Sequence, residues 1–131
     1  MLDLSNNRLA MLPEGAFLDL GNLKTLVLSV NGLIILYGEL GNLESLSLNE
    51  NELSTLNGDL FQDLVKLWAL HLGYNKLTEL PTGLFSTLIN LSALNLNNNK
   101  LISLGSGVFQ ALGNIDMMIL QGNSSGWFYA N

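Results

Sequence analysis

Leucine recurs along the chain on a fixed grid, L-x-x-L-x-L-x-x-N-x-L, which can be laid down six times. Three complete copies follow one another at a 24-residue period, over residues 43–66, 67–90 and 91–114. Within each copy the fourth and sixth positions are leucine and the residue between them varies. That is the two-residue alternation of a short strand with one buried face. Leu26 and Leu28, Leu46 and Leu48, Leu70 and Leu72, and Leu94 and Leu96 carry it through the centre of the chain. One strand per period predicts parallel pairing between consecutive copies, with strands about 4.7–4.9 Å apart.

Self-similarity at such a period, with this leucine-asparagine frame, is the signature of a leucine-rich-repeat solenoid. The expected fold is an α/β repeat, a curved solenoid. A parallel β-sheet of about six short strands forms its concave face, with loops and short helical turns on the convex face. The chain reads as a single domain over residues 1–131, with repeats at 1–22, 23–42, 43–66, 67–90, 91–114 and 115–131. Leu2, Leu4, Asn7 and Leu9 already fall inside the frame, so the series reads as cut within a repeat. The sixth copy keeps Met118, Leu120 and Asn123 before residues 124–131 break the pattern. Phe17, Phe61, Phe85 and Phe109 recur late in their repeats and are expected to stack on the convex side. The second repeat is 20 residues long and skips this segment, which predicts a local thinning of the stack.

The asparagine of the frame has a structural task. The turn after each strand leaves backbone groups inside the coil, and each needs a partner. A side-chain amide both donates and accepts, so Asn7, Asn31, Asn51, Asn75, Asn99 and Asn123 are expected to form a hydrogen-bonded ladder.

Composition narrows the function. Hydrophobic content is 48%, yet the longest apolar run is Leu33-Ile34-Ile35-Leu36-Tyr37. That is far short of the roughly 18 residues of a membrane span, so no membrane insertion is expected. No basic segment followed by an apolar run opens the chain, so no signal peptide is expected in it. Five basic against eleven acidic residues give a net charge of −6, which argues against a nucleic-acid partner and acidic lipid surfaces. There is no cysteine, which excludes disulfides and thiolate metal sites.

Catalysis finds little support. His71 is the only histidine, and its strand neighbours at the fifth repeat position are Ser47 and Asn95. Serine beside histidine invites a triad reading, but no carboxylate stands in the same column and no nucleophile turn is present. No catalytic residue, metal site or cofactor is expected. Two glycosylation sequons occur, Asn90-Leu91-Ser92 and Asn123-Ser124-Ser125, the first at a repeat junction.

Leu12-Pro13-Glu14-Gly15-Ala16-Phe17, Leu80-Pro81-Thr82-Gly83-Leu84-Phe85 and the degenerate Leu104-Gly105-Ser106-Gly107-Val108-Phe109 resemble the L-P-x-G-x-F segment of extracellular leucine-rich repeats. Nearly the whole chain is similar to the variable lymphocyte receptors of jawless vertebrates and their invertebrate relatives, and to repeat blocks of Toll-like receptor ectodomains. The resemblance implies an immune-receptor-like, extracellular or cell-surface protein that binds antigen through its concave sheet. Such receptors close both ends with cysteine-bonded caps, which this chain lacks. Self-association through open solenoid ends, giving a homodimer, is therefore the alternative function, with Trp127, Phe128 and Tyr129 expected to pack over the last coil. An intracellular protein-binding scaffold is a third reading.

Outward-facing strand positions then give the candidate binding face. Tyr74 and His71 lie at its centre, flanked by Ser47, Asn49 and Glu50 on one side and Asn95, Asn97 and Asn98 on the other, with Val27 further along the fifth column. Tyrosine offers contact area with a polar tip, and asparagine offers adaptable hydrogen bonds. Glu44, Glu50 and Glu52 with Lys76 and Lys100 are expected to form a mixed rim that would orient a protein partner. The expected partner is a protein or a microbial glycan.

Overall fold

The computed structural model describes residues 1–34 and 40–124. Six strands follow in chain order: β1 Leu2–Asp3, β2 Thr25–Val27, β3 Ser45–Ser47, β4 Ala69–His71, β5 Ala93–Asn95 and β6 Met117–Ile119. They form one sheet in which every strand pairs in parallel with the next. The frame leucines set the register, Leu2 opposite Leu26, then Leu46, Leu70, Leu94 and Met118. The short second repeat joins in the same register as the full ones, so its missing residues lie on the other side of the coil. The thinning expected there, and the packing of Trp127, Phe128 and Tyr129, lie outside the described residues.

The four central strands bury what the alternation assigns to them, while Leu2, Leu4, Met118 and Leu120 at the two ends of the sheet are only partly buried. Leu26, Leu28, Leu48, Leu70, Leu72 and Leu96 are wholly buried, while their neighbours Val27, Ser47, His71 and Asn95 stay partly exposed. Pairing continues past the strands. The Leu28, Leu48, Leu72 and Leu96 N–H groups each donate at 2.8 Å to the fifth-position carbonyl of the next coil.

The convex side is built from chained turns. In the fourth repeat Leu84 N–H donates to Pro81 O, Ser86 to Gly83, Leu88 to Phe85 and Leu91 to Leu88, at 3.0–3.1 Å. The bonds skip residues and never become continuous, so the short helical turns do not wind into a helix among the described residues. Phe61 and Phe85 are fully buried between these turns, and the Phe85 and Phe109 rings stack with centroids 6.0 Å apart.

The frame asparagines link the coils. Asn31, Asn51, Asn75, Asn99 and Asn123 each accept at Oδ1 the N–H of a leucine one coil earlier, at 3.0–3.1 Å. Each also donates from Nδ2 to the sixth-position carbonyls of its own and the preceding coil. Asn7 differs: it donates only to Leu4 O and Ser5 O of its own coil. Among the described residues no helix is long and apolar enough to cross a membrane.

Candidate binding face of the sheet

The parallel register carries the outward residues into columns. Ser47, His71 and Asn95 are direct neighbours on β3, β4 and β5. Just past the strands, Glu50 N–H donates to Gly73 O at 2.9 Å and Tyr74 N–H to Asn97 O at 2.8 Å. These bonds extend the same alignment through the seventh and eighth positions. The eighth residue of every coil adopts a left-handed backbone, with φ of 57° at Asn6, 55° at Val30, 57° at Glu50, 55° at Tyr74, 53° at Asn98 and 80° at Gly122. A turn locked in this way fixes where Glu50 and Tyr74 leave the backbone.

Seven of the sequence-predicted residues meet around one depression of about 320 Å³: Ser47, Asn49, Glu50, His71, Tyr74, Asn95 and Asn97. Asn98 and Val27 do not line it. The Asn98 amide lies over Gly122 of the following coil, where any Cβ would overlap its Oδ1. Val27 pairs with Ser47 and so sits two strands from His71.

Local bonds hold the lining. Asn95 Oδ1 accepts the Asn97 N–H at 2.9 Å, an Asx turn that fixes both residues. Asp3 Oδ1 makes the same turn to the Ser5 N–H at 2.9 Å two residues on, and the Ser5 bonds hold its carboxyl below the usual value. Asn97 Oδ1 is buried and accepts no hydrogen bond from the protein. Burial pushes the His71 imidazole below its ordinary pKa, so its neutral form is favoured.

No lysine or arginine lines the depression. Of the residues expected in the mixed rim, Glu52 pairs with Lys76, and Glu44 pairs with Lys24, which lay outside that expectation. Among the described residues no hydrogen bond joins Ser47, His71 and Glu50, and no three His, Cys, Asp or Glu side chains cluster to hold a metal.

Two features escape the leucine frame. Trp68, at the second repeat position just before β4, is half exposed, as is Met117 on β6. The signal was a tryptophan in a column otherwise made of Lys24, Glu44, Ser92 and Asp116. The last position of the repeat also forms its own ladder. Asn42 donates to Gly21 O, Asn90 to Val65 O at 3.0 Å and Asn114 to Ile89 O at 2.8 Å, while Lys66 donates to Asn42 Oδ1 at 3.1 Å. Asn90, read as a glycosylation acceptor, thus has its amide nitrogen engaged with the preceding coil.

A family model described as leucine rich repeat matches residues 35–77 and 69–124, and the chain belongs to that family. Within it, the repeats resemble those of Toll-like receptor ectodomains. Toll-like receptor 13, solved in complex with ssRNA13, is 33% identical over 92% of this chain with a TM-score of 0.84. Toll of Drosophila, solved in complex with Spatzle, is 27% identical over 92% of this chain with a TM-score of 0.73. The chain spans 18% of the first structure's length and 20% of the second's. No curated protein matches it.

Proposed function

We propose that the chain is a non-catalytic recognition module of the immune-receptor kind. It binds a protein or microbial surface ligand through the concave sheet, outside the cell or at its surface. The observation that carries this is convergence. Three successive coils place hydroxyl, amide, carboxylate, imidazole and phenol groups around one depression, on turns whose backbone is fixed. Polar groups on an ordinary solvated sheet need not share a concavity. Met117 on β6, and Trp68 just before β4, add exposed apolar area of the kind interfaces enrich.

The two Toll-like neighbours were solved with an RNA and with a protein, respectively. For this chain the polypeptide or surface ligand is the better reading. No cation lines the depression, and a net charge of −6 opposes a polyanion.

The test is capture of microbial cells and of secreted proteins by the immobilised chain. The Tyr74→Ala, His71→Ala double variant, with its thermal midpoint checked, should lose capture by about tenfold or more, as expected for central contact residues. Undiminished capture by a folded double variant would overturn the assignment.

A further inference from the structure

We propose that Asn90, and not Asn123, is the N-glycosylation site of the folded chain, and that the first sugar of its glycan lies over the exposed side chains of Val65 and Ile89. This rests on the extracellular part of the reading above and is independent of the concave face.

The two sequons, Asn90-Leu91-Ser92 and Asn123-Ser124-Ser125, are equivalent as sequence, and the coil separates them. A side-chain amide carries two N–H hydrogens. Asn123 uses both: Nδ2 donates to Leu96 O and to Leu120 O, each at 2.9 Å, while Oδ1 accepts the Leu101 N–H. A sugar on that nitrogen would break a rung of the ladder and force a bulky group between coils. Asn90 is exposed, and among the described residues its Nδ2 makes one bond, to Val65 O at 3.0 Å. One hydrogen is therefore free to be replaced. The other keeps its bond and ties the glycan linkage to the preceding coil.

The co-reactant is a lipid-linked oligosaccharide diphosphate, with the transferase of the secretory compartment as catalyst. Nδ2 of Asn90 attacks C1 of the first N-acetylglucosamine, and the C1–O bond to the diphosphate breaks as the C1–N bond forms. Nitrogen gives up one proton, and the lipid diphosphate leaves with the bonding pair. The Ser92 hydroxyl, which the sequon requires, is tied in the folded chain to Asp116 Oδ2 at 3.1 Å.

The surroundings of Asn90 supply the second support. Asn22, Asn42, Asn90 and Asn114 all close their repeats, but two residues on stand Lys24, Glu44, Ser92 and Asp116, so the hydroxyl follows Asn90 alone. The position before the last reads Gly21, Gly41, Val65, Ile89 and Gly113. Apolar side chains thus occur only in the two coils that the Asn90 bond joins. A Cβ on Gly21 or Gly113 would meet nothing within 4 Å, so this column faces open space and packing does not call for a side chain there. Val65 and Ile89 are exposed all the same. A sugar on Asn90 starts beside Val65 and next in sequence to Ile89, and its C–H face and acetyl methyl offer them apolar cover. Asn90, Val65 and Ile89 do not line the concave depression, so the glycan leaves it open.

The experiment directs the full chain, behind a cleavable secretion leader, through a eukaryotic host and maps the secreted product by mass spectrometry. Asn90 should carry a glycan and Asn123 should not. Ser92→Ala should abolish the modification without touching the Asn90 amide, and Ser125→Ala should leave it unchanged. Translation with microsomes reads use of Asn90 even if export fails, as a mass shift lost in Ser92→Ala. Trimmed to one N-acetylglucosamine, the chain should unfold at a higher midpoint than unmodified chain from a bacterial host. That rise should vanish in the Val65→Ser, Ile89→Ser double variant. An unmodified Asn90, a folded product glycosylated at Asn123, or a midpoint lowered by the sugar would overturn the proposal. A rise that survives the double variant would overturn the placement of the sugar over Val65 and Ile89. Because the leader supplies entry to the secretory compartment, these outcomes are separate from ligand capture. Capture that depends on Tyr74 and His71 in a chain unmodified at Asn90 would leave the recognition reading standing and remove the glycan site.

Discussion

The Leu53 N–H donates at 3.0 Å to Oδ1 of Asn75, a residue that belongs to the next coil. Asn75 also donates from Nδ2 to Leu48 O and Leu72 O, but both carbonyls have a second asparagine donor, Asn51 and Asn99 respectively. The Leu53 N–H has only Asn75. Replacing Asn75 with alanine therefore strands one buried donor and should cost about 1–3 kcal/mol in chemical denaturation. Asn75→Asp should cost more, because a carboxylate can accept from Leu53 but faces the two carbonyls with nothing to donate. Asn7→Ala, at an exposed residue bonded only within its own coil, should change stability little. Equal losses at Asn7 and Asn75 would show that the inter-coil bond is not the source.

The left-handed turn at the eighth position yields a second prediction. Asparagine and glycine tolerate φ near +55°, but Val30 holds φ 55° with a β-branched side chain. Val30→Asn should stabilise the chain by about 1 kcal/mol, read as a rise in the denaturation midpoint. Tyr74 sits at the same backbone angle, so Tyr74→Asn should also stabilise. If the proposed binding face is correct, that gain comes with loss of ligand capture. A fall in midpoint for Val30→Asn would mean that its partly exposed side chain outweighs the backbone strain.

The fold was legible because the leucines are spaced for it. Alternation at the fourth and sixth positions assigns one face inward, and the period then forces the parallel register that places Leu26, Leu46, Leu70 and Leu94 opposite one another. The same alternation tells which residues face outward, so the grouping of Ser47, His71 and Asn95 follows directly. It does not tell how far a side chain leans sideways. Asn98 is drawn over the next coil because Gly122 has no Cβ, a relation between repeats that a single repeat does not display. The left-handed turn was equally hidden. Asn6, Asn98 and Gly122 hint at it, whereas Val30, Glu50 and Tyr74 contradict local preference and are held there by the N–H bonds to the following coil. Gly73 read as a gap between Asn49 and Asn97 in the seventh column, and became informative only once the Asn97 amide was seen lying over it.

His71 supplies a prediction with a definite sign. Burial depresses its pKa in the folded chain, whereas in the unfolded chain it titrates near its ordinary value of about 6.5. Between those two values the unfolded chain binds more protons than the folded one. Stability from this group is therefore fully present above about pH 6.5 and declines as pH falls toward the folded pKa. His71→Asn, which places in this column the residue found at Asn95, should remove that decline. Denaturation midpoints of the chain and the variant, compared at about pH 7.5 and about pH 5, should converge or cross as the wild-type advantage fades. Working above about pH 5 keeps the measurement clear of Asp3, whose carboxyl titrates below its ordinary range. The proposed binding site should follow the same direction, because protonation replaces the ring's acceptor with a second donor in the lining of the depression. A stability difference that does not change with pH would show that the His71 ring is as well solvated in the folded chain as in the unfolded one.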